Sequence, residues 1–349
     1  MSLASALATG DVAELPSRRQ EDWRWSDLRG LLRTLPAASP PGDAARLGEG
    51  AFGALADEQV VFLNGRRVTG EAEIAVKAGA ERTIALRFVS QASGTSHHAR
   101  LALTLAPGAR AVLLESYEGQ GEAYVADVAL DIRLGEGARL ERIVLVEEAG
   151  DAVAVSTAEV ALAPGADFAQ TVLTRGAKRQ RHETRVHHGG GGARLRLDGV
   201  YLLDGPRHGD LTTAVTHEAS DGVTRQLTKG AVRGASRAVF QGRIVVREGA
   251  DRTDARMGHH ALILSDRAEV DAKPELEIYA DDVACAHGNT VGALDEDALF
   301  YARSRGIPEP QARAMLTEAF VGEVVDRIEH GGARHVARAW VAARLRGEP

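Results

Sequence analysis

Cysteine is nearly absent from this chain of 349 residues, which contains a single copy at Cys285. One thiol cannot form a disulfide framework within the chain. It also cannot supply a zinc or iron–sulfur site whose ligands are all cysteines of this chain. The N-terminal residues lack the positive segment and apolar run of a secretory signal peptide, so we expect a cytoplasmic protein.

Long apolar runs and a basic net charge are also missing. No stretch approaches the roughly 20 apolar residues of a membrane-spanning helix, and the formal net charge is −7. Proteins that bind nucleic acid through long-range electrostatic attraction are usually basic. We therefore expect neither a membrane nor a nucleic acid as a partner.

One local exception to the acidic balance lies between Arg175 and Arg256, where 16 Lys and Arg residues stand against 9 Asp and Glu residues. This basic block contains only Tyr201 and Phe240 as aromatic residues, so platforms for stacking bases are scarce. Its charges often alternate with apolar residues, as they do on a solvated strand face. We favour that interpretation over a nucleic-acid or phosphate site.

Glycine is abundant, with 38 copies, and some of these copies recur at a fixed period. Five Gly-Ala turns, each followed by a charged residue, are spaced by 29, 29, 28 and 27 residues, and they begin at Gly79, Gly108, Gly137, Gly165 and Gly192. A sixth begins at Gly249, roughly two periods further on. Short runs rich in Val, Ile and Leu lie between the turns, and Asn64-Gly65 indicates a hairpin. The period predicts a β-solenoid, with an evenly spaced β-sandwich as the alternative.

The N-terminal flank is predicted to be helical. Pro16 suits the first turn of a helix that continues through Trp23, Trp25 and Leu28. The proline-rich stretch Leu35–Asp43 then indicates a linker. We therefore expect residues 1–43 to be a helical appendage with its linker, and residues 44–290 to form the β core.

The C-terminal flank, residues 291–349, is predicted to be a small helical subdomain. Acidic residues open its first helix and Gly306 ends it. Pro308 opens the second helix, and a third runs from about Ala333 to Leu345.

Histidines occur twelve times, in part as adjacent pairs such as His97-His98, His187-His188 and His259-His260. Adjacent strand residues point to opposite faces, so such a pair cannot hold one metal ion from a strand. The chain also lacks the spacing of a hydrolytic zinc site and any phosphate-binding loop motif. We interpret the paired histidines as exposed or capping residues.

Cys285 and His287 form the sharpest candidate site. Positions two apart on a strand share a face, so thiol and imidazole could reach one metal or sulfur atom together. A structural cysteine beside a capping histidine is an equally good interpretation of these two residues. A Cys–His nucleophile would need an orienting third group that the sequence does not specify. Two ligands leave a metal shell incomplete, which favours a site shared with a second protein.

The stretch that contains this pair, KPELEIYADDVACAHGNTVGALDEDALFYARSRGI, resembles the signature of the SufB/SufD family of iron–sulfur cluster assembly proteins. The segments LPSRRQEDWRWSDLR, VFLNGRRV and HGDLTTAVTHEASDGVTRQLTKG match as well, so the resemblance spans nearly the whole chain. It is most like the SufD members, because it has one cysteine and has Ala286-His287-Gly288 where SufB has Glu-His-Glu.

The resemblance implies a mainly β fold, a right-handed parallel β-helix with a helical N-terminal segment and a C-terminal helical subdomain. It implies a non-catalytic scaffold subunit of the SUF complex that pairs with SufB and supports iron delivery and cluster assembly at the SufB–SufD interface. Cys285 and His287 would be candidate interfacial ligands of a transient iron or iron–sulfur cluster. We expect no cofactor to be stably bound by this chain alone.

The resemblance further implies that the C-terminal helices dock SufC, an ABC-type ATPase that holds the ATP itself. Candidate core or contact positions there are Phe300, Met315, Leu316 and Phe320, with the core favoured for Phe300 and Leu316. In isolation, an open sheet edge would pair with a second copy of the chain. The alternative function is a β-helix protein that binds or processes polysaccharide, against which the missing signal peptide and scarce aromatic residues both count.

Overall fold

The computed structural model describes residues 1–71 and 73–346 of the chain. In this part, 18 β-strands are flanked by four α-helices at the termini. The first two strands form an antiparallel hairpin in one sheet. From there on, consecutive strands alternate between two long sheets, and the other ladders between the described strands are parallel. The chain therefore forms a parallel β-solenoid, as predicted. None of the described helices is both long and apolar enough to cross a lipid bilayer.

Ten strands form one sheet and eight form the other. The ten-stranded sheet contains β1 (Glu58–Leu63), β2 (Arg66–Thr69), β4 (Glu81–Ser90), β6 (Arg110–Gly119), β8 (Arg139–Glu147), β10 (Asp167–Thr174), β12 (Arg194–Leu203), β14 (Val223–Val232), β16 (Thr253–Ile263) and β18 (Val283–Gly292). The eight-stranded sheet contains β3 (Glu73–Val76), β5 (Ser96–Leu105), β7 (Val125–Leu134), β9 (Val153–Leu162), β11 (Arg179–His188), β13 (His208–His217), β15 (Arg237–Val246) and β17 (Glu269–Ile278).

The predicted Gly-Ala turns all lie at corners of the solenoid. Their glycines have φ between 61° and 80°, a region that costs glycine little and other residues more. The long interval between Gly192 and Gly249 contains one more corner of this series, where Asp221 takes the left-handed conformation with φ 62°. The sequence interval of roughly two periods therefore corresponds to two coils of the solenoid. Asn64 and Gly65 have φ of 48° and 77° and join β1 to β2, so the predicted hairpin is confirmed.

Because the coils stack in register, equivalent inward positions form ladders along the core. Phe62, Phe88 and Tyr117 stack on successive coils with ring centroids 5.2 and 5.1 Å apart. The core also holds a charged layer, where Arg142 donates to the Glu115 carboxylate at 2.7 and 2.8 Å. Both side chains are fully buried, so the bidentate pair has to compensate for their desolvation.

The helix predicted from Pro16 is not formed. The N-terminal helix is instead α1 (Leu3–Thr9), and Trp23 lies only in a single 3₁₀ turn. Residues 16–35, here called the strap, cross the outer face of the eight-stranded sheet. The main-chain carbonyls of Asp22 and Trp25 accept hydrogen bonds from sheet side chains, so they are not available to a helix. The interpretation of this segment as an appendage was therefore wrong.

The three predicted C-terminal helices are confirmed as α2 (Glu296–Ser304), α3 (Glu309–Val325) and α4 (Gly331–Arg346). The Asp295 carboxylate caps α2, and Gly306, with φ 85°, follows its end. Helices α3 and α4 pack their apolar side chains onto the outer face of the ten-stranded sheet. The right-handed sense of the solenoid and the segment limits at residues 43 and 290 stay predictions.

Candidate functional site

The last coil of the solenoid, formed by β17 and β18, has two unpaired edges. Strand β17 pairs only with β15, and β18 pairs only with β16, among the strands of the described residues. The free edge of each strand presents a row of backbone groups that can form hydrogen bonds with another chain.

The inward side of this coil is an uncovered apolar surface. Its positions are in register with the buried residues of β15 and β16, but no further coil lies over them in the described chain. Ile278 and Val291 are each 43% exposed as a result. We call this surface the open end; it consists of Val270, Leu276, Ile278, Val283, Cys285, His287 and Val291. Uncovered apolar surface at a sheet terminus is typical of a protein interface.

Cys285 and His287 both occupy inward positions of β18. Cys285 is paired with buried Ala255, and His287 is paired with buried Met257. The Cys285 side chain is half-buried against the core, whereas His287 is exposed. The strand alternation thus puts the predicted pair on one side of the strand, at the edge of the open end.

The free chain does not activate this thiol. Burial raises the pKa of Cys285, and the nearby Asp254 carboxylate raises it further, while a hydrogen bond from the Ala255 backbone opposes both effects. A thiol with a raised pKa stays protonated at neutral pH and is a poor nucleophile and ligand. A metal ion that binds Cys285 would therefore have to displace the proton of the thiol.

No cluster of three or more metal-ligating side chains is present among the residues that the structure describes. Asp281 and Asp282, which precede β18 in the sequence, are exposed. A Cβ atom added at Gly288 would meet nothing within 4 Å, so this part of the strand leaves room for a partner. Among the described residues, no third His, Cys, Asp or Glu side chain is placed with Cys285 and His287 to hold a metal ion.

The interpretation of the paired histidines as exposed or capping was wrong for His188 and His259, which are fully buried. One residue of each pair points inward, because neighbours on a strand face opposite ways. His259 hydrogen-bonds Asn289 of the last coil at 2.7 Å and Tyr201 at 2.9 Å. Burial lowers the pKa of His259 to about 4, so it is neutral at physiological pH. Sequence reasoning missed this link between the core and β18.

The C-terminal candidate positions divide into exposed and half-buried ones. Phe300 is 72% exposed and Met315 is 48% exposed. Leu316 and Phe320 are half-buried against the cluster between α3, α4 and the sheet. The core interpretation of Phe300 was wrong, since Leu299 takes the inward position of α2. Tyr301, which sequence reasoning missed, is 60% exposed beside Phe300.

The basic block is only partly the solvated surface that we expected. Arg181 is buried beneath the strap, where its ion pairs with Glu183 and Asp210 are 3.0 and 3.1 Å long. Its guanidinium carbon lies 4.4 Å from the ring centroid of Trp23. Arg252, by contrast, forms an exposed ion pair with Asp221. The strap makes the difference, because it removes the middle of this strand face from water.

Comparison with known proteins connects this geometry to a family. The family model "SUF system FeS cluster assembly, SufBD core domain" matches residues 88–320. The "Iron-sulfur cluster assembly protein SufD" of Escherichia coli is 30% identical over 99% of this chain and 92% of that protein. The SufBD family protein slr0076 of Synechocystis is 30% identical over 70% of this chain and 56% of its own. The SufD protein of Bacillus subtilis is 32% identical over 39% of this chain and 31% of its own.

Proposed function

Because the chain belongs to the SufBD family of iron–sulfur cluster assembly proteins, we propose that it is a non-catalytic SufD-type scaffold subunit of a cytoplasmic assembly complex. The open end is the observation that carries this proposal. It lies within residues 88–320, the segment that the family model matches. It combines free strand edges, apolar surface and two side chains that can bind a metal.

The proposed partner at the open end is SufB. A second solenoid with a similar end could pair with β17 and β18 and cover Ile278 and Val291. Pairing of two like ends buries the apolar surface of both chains and satisfies their edge backbone groups. An isolated chain would use the same surface for self-association, which SufB would then outcompete.

Iron and sulfide are the cargo of this site. Cys285 and His287 would supply a sulfur and a nitrogen ligand from one side of the interface, and SufB would complete the shell. An approaching iron ion favours the thiolate form, which offsets the effect of burial on the thiol. The chain alone would hold no stable cluster, because one thiolate is too few.

The proposed SufC dock lies on the C-terminal helices. Phe300 and Tyr301 on α2 and Met315 on α3 are exposed large hydrophobic side chains, while Leu316 and Phe320 pack α3 against the sheet. Exposed aromatic and methionine side chains are enriched at interface cores. ATP would be bound and hydrolysed by SufC. The alternative function in polysaccharide binding has no support from a family named for cluster assembly.

The test is co-expression of the chain with SufB and SufC from the same organism, followed by anaerobic reconstitution and absorption spectroscopy. Cys285→Ser and His287→Ala together should cut cluster formation about tenfold or more while the three subunits still co-purify. His187→Ala, a change of an exposed histidine far from β18, is the matched control and should assemble clusters normally. Unchanged cluster formation with both Cys285 and His287 replaced would end the proposal for this pair.

A further inference from the structure

A cleft of about 660 Å³ lies between the strap and the eight-stranded sheet. Four arginines of the strap and one of β11 line it, together with a single carboxylate. These residues are Arg18, Arg19, Arg29, Arg33, Arg179 and Asp27. The volume falls within the range of small-molecule sites.

The five guanidinium groups of this arginine cleft have no carboxylate partner within ion-pair distance among the described residues. Arg179 donates one hydrogen bond to the Trp25 carbonyl at 3.0 Å, and Arg29 contacts the sulfur of Met1. The Nε atoms of Arg29 and Arg179 are buried without any hydrogen-bond partner. Elsewhere on this sheet, buried Arg181 is held by two carboxylates. The arginine cleft thus combines two buried donors that lack a partner with the exposed guanidinium groups of Arg18, Arg19 and Arg33.

The electrostatics of Arg179 agree with this. Burial lowers its pKa, and the charge of Arg237 lowers it further, while Asp27 and Asp210 compensate in part. Positive groups that are partly desolvated and close together are unfavourable without a counter-charge. An anion in the arginine cleft would supply that charge and satisfy the open donors.

We propose that the arginine cleft binds a compact oligophosphate, either free or as the phosphate tail of a nucleotide. Guanidinium forks match phosphate oxygens in a bidentate manner, and several forks around one cleft suit several linked phosphates. The lining contains no aromatic side chain within the described chain, so it offers no platform for a base and recognises charge. Five guanidinium groups around one cleft favour a compact, highly charged anion over an extended acidic peptide, whose charges are spread along a chain.

Oligophosphate binding would also lock the strap. One wall of the arginine cleft belongs to the strap, which is anchored by the hydrogen bond between Ser26 and buried Asp210 and by the bond from His208 to the Trp25 carbonyl. A ligand that bridges Arg29 and Arg179 would add a further anchor. This proposal is independent of the scaffold role and of the open end.

The test is calorimetric titration of the full chain with sodium tripolyphosphate. We expect one ligand per chain and an affinity that falls between about 50 and 200 mM salt. Arg29→Gln with Arg179→Gln should weaken binding about tenfold or more. Since Arg179 also holds the strap, Arg18→Gln with Arg33→Gln, both exposed, is the second variant and should weaken binding in the same direction. Arg110→Gln, an exposed arginine of the other sheet, is the control.

Titration with ATP separates the two sources of the ligand. Similar affinity for ATP and tripolyphosphate supports a site that accepts the phosphate tail of a nucleotide, and weaker binding of ATP supports a site for free oligophosphate. The proposal is overturned if both double variants bind like the wild type, or if sulfate binds as tightly as tripolyphosphate. Tighter binding of an acidic octapeptide would also overturn it and assign the arginine cleft to a protein segment.

Discussion

The outer face of the ten-stranded sheet has an apolar cluster that is covered by two helices. The outer face of the eight-stranded sheet is polar at its centre and is covered by irregular backbone. Leu114, Ile143 and Val200 lie beneath α3 and α4. Arg181 and Asp210 lie beneath the strap.

The difference follows from backbone hydrogen bonding. A helix satisfies its own N–H and C=O groups, so it can cover an apolar surface without help from it. An irregular segment leaves carbonyls unpaired, so the sheet below has to supply donors. Arg179, Arg181, His208 and Gln241 do this for the carbonyls of Asp22 and Trp25. Hydrogen bonds from sheet side chains therefore fix the path of the strap, whereas apolar packing fixes the position of the helices.

The largest loss of stability is expected from removing one buried charge on the outer face of the eight-stranded sheet. Arg181→Met should destabilise the chain by about 3–5 kcal/mol, because Asp210 and Glu183 stay buried without their cation. Urea unfolding checks this. Arg252→Met, which breaks an exposed ion pair of the same block, is the control and should leave the unfolding midpoint unchanged. Equal unfolding midpoints for the two variants would contradict the expected difference between a buried and an exposed ion pair.

The apolar cluster beneath α3 and α4 should lose stability when a buried side chain is shortened and leaves a cavity. Val324→Ala removes a fully buried side chain between α3 and the sheet and should cost about 2 kcal/mol. Met315→Ala, on an exposed part of the same helix, should change stability by no more than about 0.5 kcal/mol. Denaturant titrations at low and high salt should give the same loss for Val324→Ala, since no charge is involved. A strongly salt-dependent loss would show that this contact is not apolar packing.

Lowering the pH should destabilise the contacts between the strap and the eight-stranded sheet, because they include a buried neutral histidine. Burial and the nearby charge of Arg179 lower the pKa of His208 to about 3 from its ordinary 6.5. The stability that depends on a neutral His208 is fully present above pH 6.5 and is lost as pH falls toward 3. His208→Gln keeps a donor for the Trp25 carbonyl but cannot titrate. It should therefore lose about 2 kcal/mol less stability than the wild type between pH 7 and pH 5. His187→Gln is the exposed control, and parallel pH curves for all three proteins would refute the assignment.

The smallest effect on stability is expected at the open end, where association should change instead. Ile278→Glu should leave the unfolding free energy within about 0.5 kcal/mol of the wild type and abolish self-association of the isolated chain. Light scattering at high concentration measures this. Val68→Glu places the same charge at a similarly exposed site on β2, at the other end of the ten-stranded sheet, and should still self-associate. A wild-type chain that stays monomeric would contradict the expectation.

Much of the solenoid was predictable because its signals are local and repeated. Turn glycines such as Gly108 and Gly137 mark the corners, and Gly306 and Pro308 mark the limits of helices. Strand alternation likewise predicted that Cys285 and His287 share a side of β18. Phe300 could not be placed in this way, since α2 has neighbouring apolar residues and only packing decides that Leu299 is the one turned inward.

The sequence by itself therefore determined the coil period, the hairpin, the helical C-terminus and the spacing of the cysteine and histidine, because each depends on residues close together in the chain. Only the tertiary structure decided the path of the strap, the burial of Arg181 and His208, the arginine cleft and the open end. Those features depend on contacts between distant segments: Ser26 and Asp210, for example, meet across 184 residues. A polar residue under the strap has the same local pattern as one in water, and the difference arises only when the two segments meet.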